Sequence, residues 1–330
     1  METGSFTRQE ILSQPEAWLT ALDVLVGQQR SIVDVRPASN FNQVIFTGCG
    51  STYYLALAAA ALTQELAGMP CRAFPASELW LYPLSSYAAT KTLLVAISRS
   101  GETTETLRAC DAFLKSKRGD LITLSCYGDM PLAQMGMLNI VFPSGQEQSV
   151  AQTRAFSTLY LGSVALAALW AGRSDLFDSL TRLPEAGERL LKNYAPLAAE
   201  VGHDTSLDRF YFLGSGPRHG LACELSLKMK EMSLSHSEPF HFLEFRHGPK
   251  SMVTPSALVL GLRSTSNASF ESAVLNDVKS LGGRVIDVAE AGATVEFEAG
   301  LDEAIQNVLY LPVGQMIAFE RSISKNLNPD

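Results

Sequence analysis

A chain of 330 residues and 35.7 kDa, 46% hydrophobic and 18% charged, carries enough apolar material for one large domain or two of middling size, which excludes disorder and fibre. Its formal charge of −8 argues against nucleic acid and anionic membrane as partners, since both are bound by dense cationic surfaces. The most membrane-like stretch, residues 159–172, is about 14 residues long against the roughly 20 of a spanning helix, and METGSFTRQE has no apolar run behind a basic start. No nucleic-acid or membrane partner is expected, and the location is expected to be cytoplasmic. Five scattered cysteines, Cys49, Cys71, Cys110, Cys126 and Cys223, lack CxxC spacing and read as reduced, mostly buried thiols.

In chain order, Trp18, Leu19, Leu22, Leu25 and Val26 recur at helical spacing and predict a leading helix within residues 1–30, packed on the body. Apolar runs then predict strands at 43–47, 71–74, 92–97, 121–126 and 139–142, with helices over 52–66 and 103–115. Residues 153–171 and 174–200 read as helices, the latter broken near Pro184. Strands at 210–213, 258–262 and 285–288 follow, with helices over 217–232 and 270–281. Alternating strands and helices of this kind build α/β units with parallel sheets and helices on both faces.

The second series repeats the first at an offset of 166 residues over a 55-residue window. Phe46, Gly48, Gly50 and Leu55 fall on Phe212, Gly214, Gly216 and Leu221, and Ser98 and Ser100 fall on Ser264 and Ser266. Glu65 falls on Glu231 and Glu78 on Glu244. Matching residues at matching strand ends identify an internal duplication.

Two loops leave the carboxyl ends of strands, where ligands of parallel sheets collect. The first, Gly48-Cys49-Gly50-Ser51-Thr52, is a glycine turn into a helix whose free N–H groups suit an anion. It fails the GxGxxG dinucleotide pattern at Tyr53, and taken alone it reads as a tight turn. The second, Ser98-Arg99-Ser100-Gly101-Glu102-Thr103, offers three hydroxyls and a helix N-terminus to a phosphate's oxygens. Its plainer reading is an N-cap with Glu102 or Glu105 completing a capping box, and both readings can hold together.

A third cluster groups Glu224, Lys228 and Glu231 on one helix. A surface ion pair is the bland account of Lys228 and Glu231, but Leu221, Leu225, Leu227 and Met232 make that helix largely apolar. His236, His241 and His247, with Glu238 and Glu244, lack metal-site spacing, and Pro239 and Pro249 predict irregular turns there. Gly248 and Pro249 fix a turn that can aim His247.

The motifs TGCGSTYYLAL, ISRSGETTETL, EQSVAQTRAFST, LGSGPRHGLACELSLKMKEMS and EFRHGPKSMV, in that order, resemble the SIS (sugar isomerase) family, in the double-domain form of the isomerase half of glucosamine-6-phosphate synthase. The resemblance implies two tandem SIS domains, each a flavodoxin-like three-layer α/β/α sheet. The implied division is 1–30 as a helical segment, 31–170 as the phosphate-binding domain, 171–200 as a helical connection and 201–330 as the domain of the catalytic Glu and His. It implies that Thr52, Ser98, Arg99, Ser100 and Thr103 bind the sugar phosphate with Gly50 and Ser51 supporting, and that Val150 and Gln152 line the sugar. It implies that Glu231, beside Lys228, moves a proton between C1 and C2, and that His247 assists ring opening from a partner subunit, so that the active unit is a homodimer or larger homo-oligomer. The second half has STSNAS where the first has SRSGET, which leaves one phosphate site per chain.

Aldose–ketose interconversion through an enediol needs one carboxylate over both carbons, without metal or other cofactor. Burial in an apolar helix face would raise that carboxyl's pKa, whereas Lys228 would lower it. The resemblance therefore implies a phosphosugar isomerase acting on a hexose or aminohexose 6-phosphate. An amino-sugar-phosphate deaminase and a non-catalytic sugar-phosphate sensor are the alternatives. FRHGPKS is similar to galactosamine-6-phosphate and tagatose-6-phosphate members, and KMKEMS to the synthase group. With only 42 residues before the first predicted strand, no glutaminase activity is expected, and the family's tail lysine has no counterpart before Asp330.

Overall fold

The computed structural model describes residues 3–330. Helices α1 (Ser5–Leu12), α2 (Gln14–Asp34) and α3 (Pro37–Asn40) lead into β1 (Gln43–Gly48), α4 (Ser51–Ala67), β2 (Cys71–Pro75), α5 (Ala76–Leu81), α6 (Pro83–Ser86), β3 (Thr92–Ser98), α7 (Thr104–Ser116), β4 (Gly119–Ser125) and β5 (Leu138–Val141). Then come α8 (Arg154–Trp170), α9 (Ser174–Ser179) and α10 (Leu183–His203), followed by β6 (Arg209–Gly214), α11 (Pro217–Ser233), β7 (His236–Phe240), β8 (Ala257–Leu262), α12 (Ala268–Ser280), β9 (Arg284–Ala289), β10 (Val295–Glu296) and α13 (Leu311–Ser324). Among the described residues no helix is long and apolar enough to cross a membrane.

The strands form two five-stranded parallel sheets flanked by helices, ordered β2-β1-β3-β4-β5 and β10-β9-β8-β6-β7. Renumbered within each sheet, both follow 2-1-3-4-5, so each has its switch point between its first and third strands. The duplication is visible in detail, since α4 shifted by 166 residues coincides with α11 at both ends. The phase holds to within two residues up to the last strand, where the offset puts the counterpart of β5 at residue 304 and β10 starts at Val295.

The first sheet is buried through its centre. Every position of β1 and β3 is buried, as a parallel sheet covered on both faces requires. Residues Ala155 to Leu169 of α8 are buried all round, and Trp18 of α2 is wholly buried with its Nε1–H donating to Ser157 Oγ at 2.9 Å. Leu22 and Leu25 share that buried face, whereas Leu19 and Val26 point outward at 57% and 59% exposure, so the predicted stripe was too wide. The break predicted near Pro184 is a 3-10 turn over Leu180–Arg182, with Pro184 in the first turn of α10.

The segment expected to be irregular turns contains a strand. β7 pairs with β6 through His236 to Phe240, with Pro239 opposite Phe212; β7 is an edge strand, where a missing N–H costs no ladder bond on the open side. The chain also exchanges segments between its two compact units. Residues Glu16–Gln146 and Arg154–Thr181 gather around the first sheet, while the stretch up to Pro15, Glu147–Thr153 and Arg182–Asp330 gather around the second. Val150 and Gln152 lie in the second-sheet unit.

Candidate active site

Both loops expected to hold an anion lie at the switch point of the first sheet, at the carboxyl ends of the neighbouring strands β1 and β3. Gly50 adopts φ 56°, a value that glycine tolerates and that lets Ser51 start α4 directly. Thr52 is buried, and its Oγ1 accepts the Cys49 N–H at 2.9 Å and donates to the Cys49 carbonyl at 3.0 Å. Its hydroxyl proton is therefore committed to the turn, which limits what Thr52 can offer a ligand. Cys49 Sγ lies 3.5 Å from Thr106 Oγ1 in the first turn of α7, joining one loop to the other.

In the second loop the three expected hydroxyls converge. Thr103 Oγ1 lies 3.0 Å from Ser98 Oγ and 3.5 Å from Ser100 Oγ. Ser98 Oγ accepts the N–H of Gly101 at 3.2 Å, and Ser100 Oγ accepts that of Glu102 at 3.3 Å. Gly101 has φ 71°, and a Cβ there would meet Met130 Cβ at 2.9 Å, so the loop needs glycine for conformation and for space. Thr103 occupies the N-cap position of α7, yet its side chain makes no capping bond. The plain N-cap account thus leaves the hydroxyl cluster unexplained, and the first N–H groups of a 13-residue helix lie beside it. Arg99 is half-buried in this loop and Ser51 is buried at the start of α4.

The second-sheet unit holds the charged triad of α11. Lys228 and Glu224 are fully buried; Lys228 Nζ lies 3.3 Å from Glu224 Oε1 and donates to Glu231 Oε2 at 2.5 Å. Burial works against the charge on Lys228, but Glu224 and Glu231 together outweigh it and hold its pKa above the ordinary lysine value. The surface-pair account fails here, since Lys228 has no exposure. Expectation is corrected at Glu231 as well: its side chain is 40% exposed, so the apolar helix face does not enclose it. The carboxylate that is enclosed is Glu224, which stands at i, i+4 and i, i+7 to Lys228 and Glu231.

His247 is exposed in the turn after Glu244–Arg246. Its neighbours Arg246 and Lys250 both reach Asp277 of α12, at 2.9 and 3.3 Å, and so fix the two sides of that turn. Val150 is 78% exposed and Gln152 half-buried, in a segment pinned by carboxylates that the sequence did not mark. Glu10 of α1 is buried and accepts the N–H groups of Gln148 and Ser149 at 2.6 and 3.3 Å and the Ser149 hydroxyl, while Glu147 Oε1 accepts the Thr153 N–H and hydroxyl at 2.8 and 2.9 Å. A short motif pattern could not reveal Glu10, since its partners lie about 140 residues away. The structure thus brings together Gly50, Ser51, Thr52, Ser98, Arg99, Ser100 and Thr103 at one switch point, and joins Lys228 to Glu231 in the other unit.

A further feature of the second-sheet unit is the stacked pair His219 and His241, with ring centroids 3.7 Å apart. Burial first, and then His241, hold His219 down at about 4, so it is neutral at physiological pH.

Comparison with known proteins agrees with this arrangement. Residues 39–169 match the SIS domain. The chain is 28% identical over 341 residues to the glutamine–fructose-6-phosphate aminotransferase (isomerizing) of Methanothermobacter thermautotrophicus, with 98% of this chain and 55% of that protein covered. This chain spans little more than half the length of the curated relatives it matches. A glucosamine-6-phosphate deaminase from Thermotoga maritima has a solved structure that superposes with a TM-score of 0.82 at 27% identity, covering 99% of this chain and 97% of that one. Tagatose-6-phosphate ketose/aldose isomerase from Escherichia coli shares the fold, with a TM-score of 0.87 at 21% identity over 99% and 94% of the two chains. Residues 39–169 are thus similar to the SIS domain, and nearly the whole chain is similar to about 55% of the length of glutamine–fructose-6-phosphate aminotransferases.

Proposed function

We propose that this protein is a phosphosugar isomerase that interconverts the aldose and ketose forms of a hexose or aminohexose 6-phosphate. The observation that carries this reading is Glu231: a half-exposed carboxylate held at 2.5 Å by a lysine with no exposure of its own. A proton shuttle must reach the substrate and must not swing away from it, and this pairing supplies both conditions. Ser98, Ser100 and Thr103 hydrogen-bond the phosphate with the N-terminus of α7, Arg99 adds charge, and Gly50, Ser51 and Thr52 shape the adjoining turn. Val150 and Gln152 contact the sugar. Glu231 takes the proton from C2 of the open-chain aldose and returns it to C1 of the enediol or enolamine, the O2 or N2 proton passing to O1 in the same interconversion, while Lys228 keeps the carboxylate oriented. His247, supplied by a second copy of the chain, assists ring opening. The duplicated half is a second SIS domain without its own substrate.

The 27% identity to a glucosamine-6-phosphate deaminase favours a second reading, in which the same proton transfer is followed by loss of ammonia from an amino sugar. Incubation with glucosamine-6-phosphate, galactosamine-6-phosphate and fructose-6-phosphate in heavy water separates the two. Exchange at C1 and C2 without ammonia supports the isomerase, exchange with ammonia the deaminase, and binding without exchange a sugar-phosphate sensor. Glu231→Gln should lose turnover by about a hundredfold or more while keeping substrate binding. Unchanged turnover in that variant would remove Glu231 from the chemistry.

A further inference from the structure

The loop between β8 and α12 already holds an anion from its own chain. Thr265 and Ser266 donate their backbone N–H groups to Glu303 Oε1 and Oε2, each at 3.2 Å, and Arg218 Nη1 donates to Glu303 Oε1 at 2.9 Å. The Arg218 side chain is 7% exposed, and its Nε is buried with no hydrogen-bond partner among the described residues. At the 166-residue offset Arg218 corresponds to Thr52, Thr265 to Arg99 and Ser266 to Ser100. The loops also agree in backbone detail: Ser98 Oγ accepts the N–H three residues on, from Gly101 at 3.2 Å, and Ser264 Oγ does the same with Asn267 at 3.0 Å. Backbone N–H groups and a guanidinium converging on a carboxylate at the carboxyl end of a parallel strand make an anion site with its anion in place.

We infer that the second-sheet unit retains a second binding site for a tetrahedral oxyanion such as phosphate, and that Glu303 is its built-in occupant and keeps it closed. The comparison of the two loops rests on reading the first as the phosphate site, but the Glu303 contacts stand by themselves. A carboxylate tethered a few residues from α13 is present at high effective concentration and excludes free phosphate without needing high intrinsic affinity. Glu271 lies behind the loop, accepting the Ser264 N–H at 2.5 Å and hydroxyl at 2.9 Å. Burial first of all raises its pKa, and Arg218 opposes that rise. Glu303 is the carboxylate that pairs directly with Arg218, at 2.9 Å, so removing it leaves Arg218 with capacity for an incoming anion.

The test is phosphate stoichiometry. The full chain as wild type, Glu303→Ala, and Glu303→Ala with Arg218→Met is titrated with inorganic phosphate by equilibrium dialysis, with circular dichroism to establish folding. Glu303→Ala should bind one phosphate per chain more than wild type, and the added Arg218→Met should remove that extra equivalent. Glu303→Gln keeps the side-chain shape and should show the same gain if the alanine variant fails to fold. Unchanged stoichiometry in a folded Glu303 variant overturns the inference, as does a gain that survives Arg218→Met. Should wild type bind no phosphate while Glu303→Ala binds one, the first-loop reading falls and this inference holds.

Discussion

Lys228→Met removes a positive charge from a site with no solvent and leaves Glu224, also without exposure, facing an apolar side chain of similar length. Breaking a buried pair by removing one partner costs about 3–5 kcal/mol, because the remaining charge is neither hydrated nor paired. Unfolding entropy of about 2.1 cal/mol/K per residue gives roughly 0.7 kcal/mol/K for 330 residues melting together, so the melting temperature should fall by about 4–7 °C. Pairing the change with Glu224→Gln removes the stranded charge and should restore more than half of that loss. The pH dependence has a definite sign. Burial disfavours the Glu224 charge once Lys228 is gone, so the stability of Lys228→Met should decrease as pH rises from 5 to 8. In wild type the raised pKa of Lys228 acts with the same sign at higher pH: its contribution is complete below 10.5 and is lost as pH climbs through the higher native value. Thermal melts by circular dichroism between pH 5 and 11 read all of this. A Lys228→Met protein that melts with wild type at pH 8, or a double variant no more stable than the single, would refute the view of α11 as a buried electrostatic unit.

Two other changes test the substrate loops. Ser98→Ala removes the hydroxyl that lies against Thr103 and receives the Gly101 N–H, and a lost hydrogen bond to a charged group is worth about 1.5–3 kcal/mol, so half-saturation by the sugar phosphate should rise roughly tenfold to a hundredfold in steady-state kinetics. Glu10→Ala should accelerate hydrogen exchange at the amides of Gln148 and Ser149 by about tenfold or more and raise half-saturation several-fold, with thermal stability of the first sheet unaffected. Exchange protection equal to wild type would show that Glu10 does not hold that segment.

What could be read in advance followed from local signals. Short apolar runs followed by glycine or serine mark β1 and β3, because a strand buried on both faces favours apolar residues along its centre, and this places the switch-point loops. The apolar setting of Lys228 was equally legible, since leucines and methionines surround it along α11. Its closest buried partner was a matter of helical spacing, and counting four residues back from Lys228 reaches Glu224. Leu19 and Val26 misled because an apolar residue next to a buried stripe need not belong to it. Pro239 misled because proline argues against a central strand and says nothing against an edge. Glu10 and Glu303 carry no local signal: each acts on residues 37 or more positions away, and only the fold brings them there.

The exchange of segments between the two units bears on how the chain acquires its structure. A gene duplication should leave two halves that fold independently, one after the other. Here the segment Glu147–Thr153, within the first half of the sequence, is tied to Glu10 at a separation of about 140 residues and to Gln315 at 162. Contacts of such separation close large loops and slow the search for the native state. The first sheet can assemble early on nearly local pairings, whereas the loop expected to touch the sugar gains one of its anchors, Gln315, only after α13 has formed. Completion of the segment proposed to contact the sugar therefore waits in part on the far end of the second repeat.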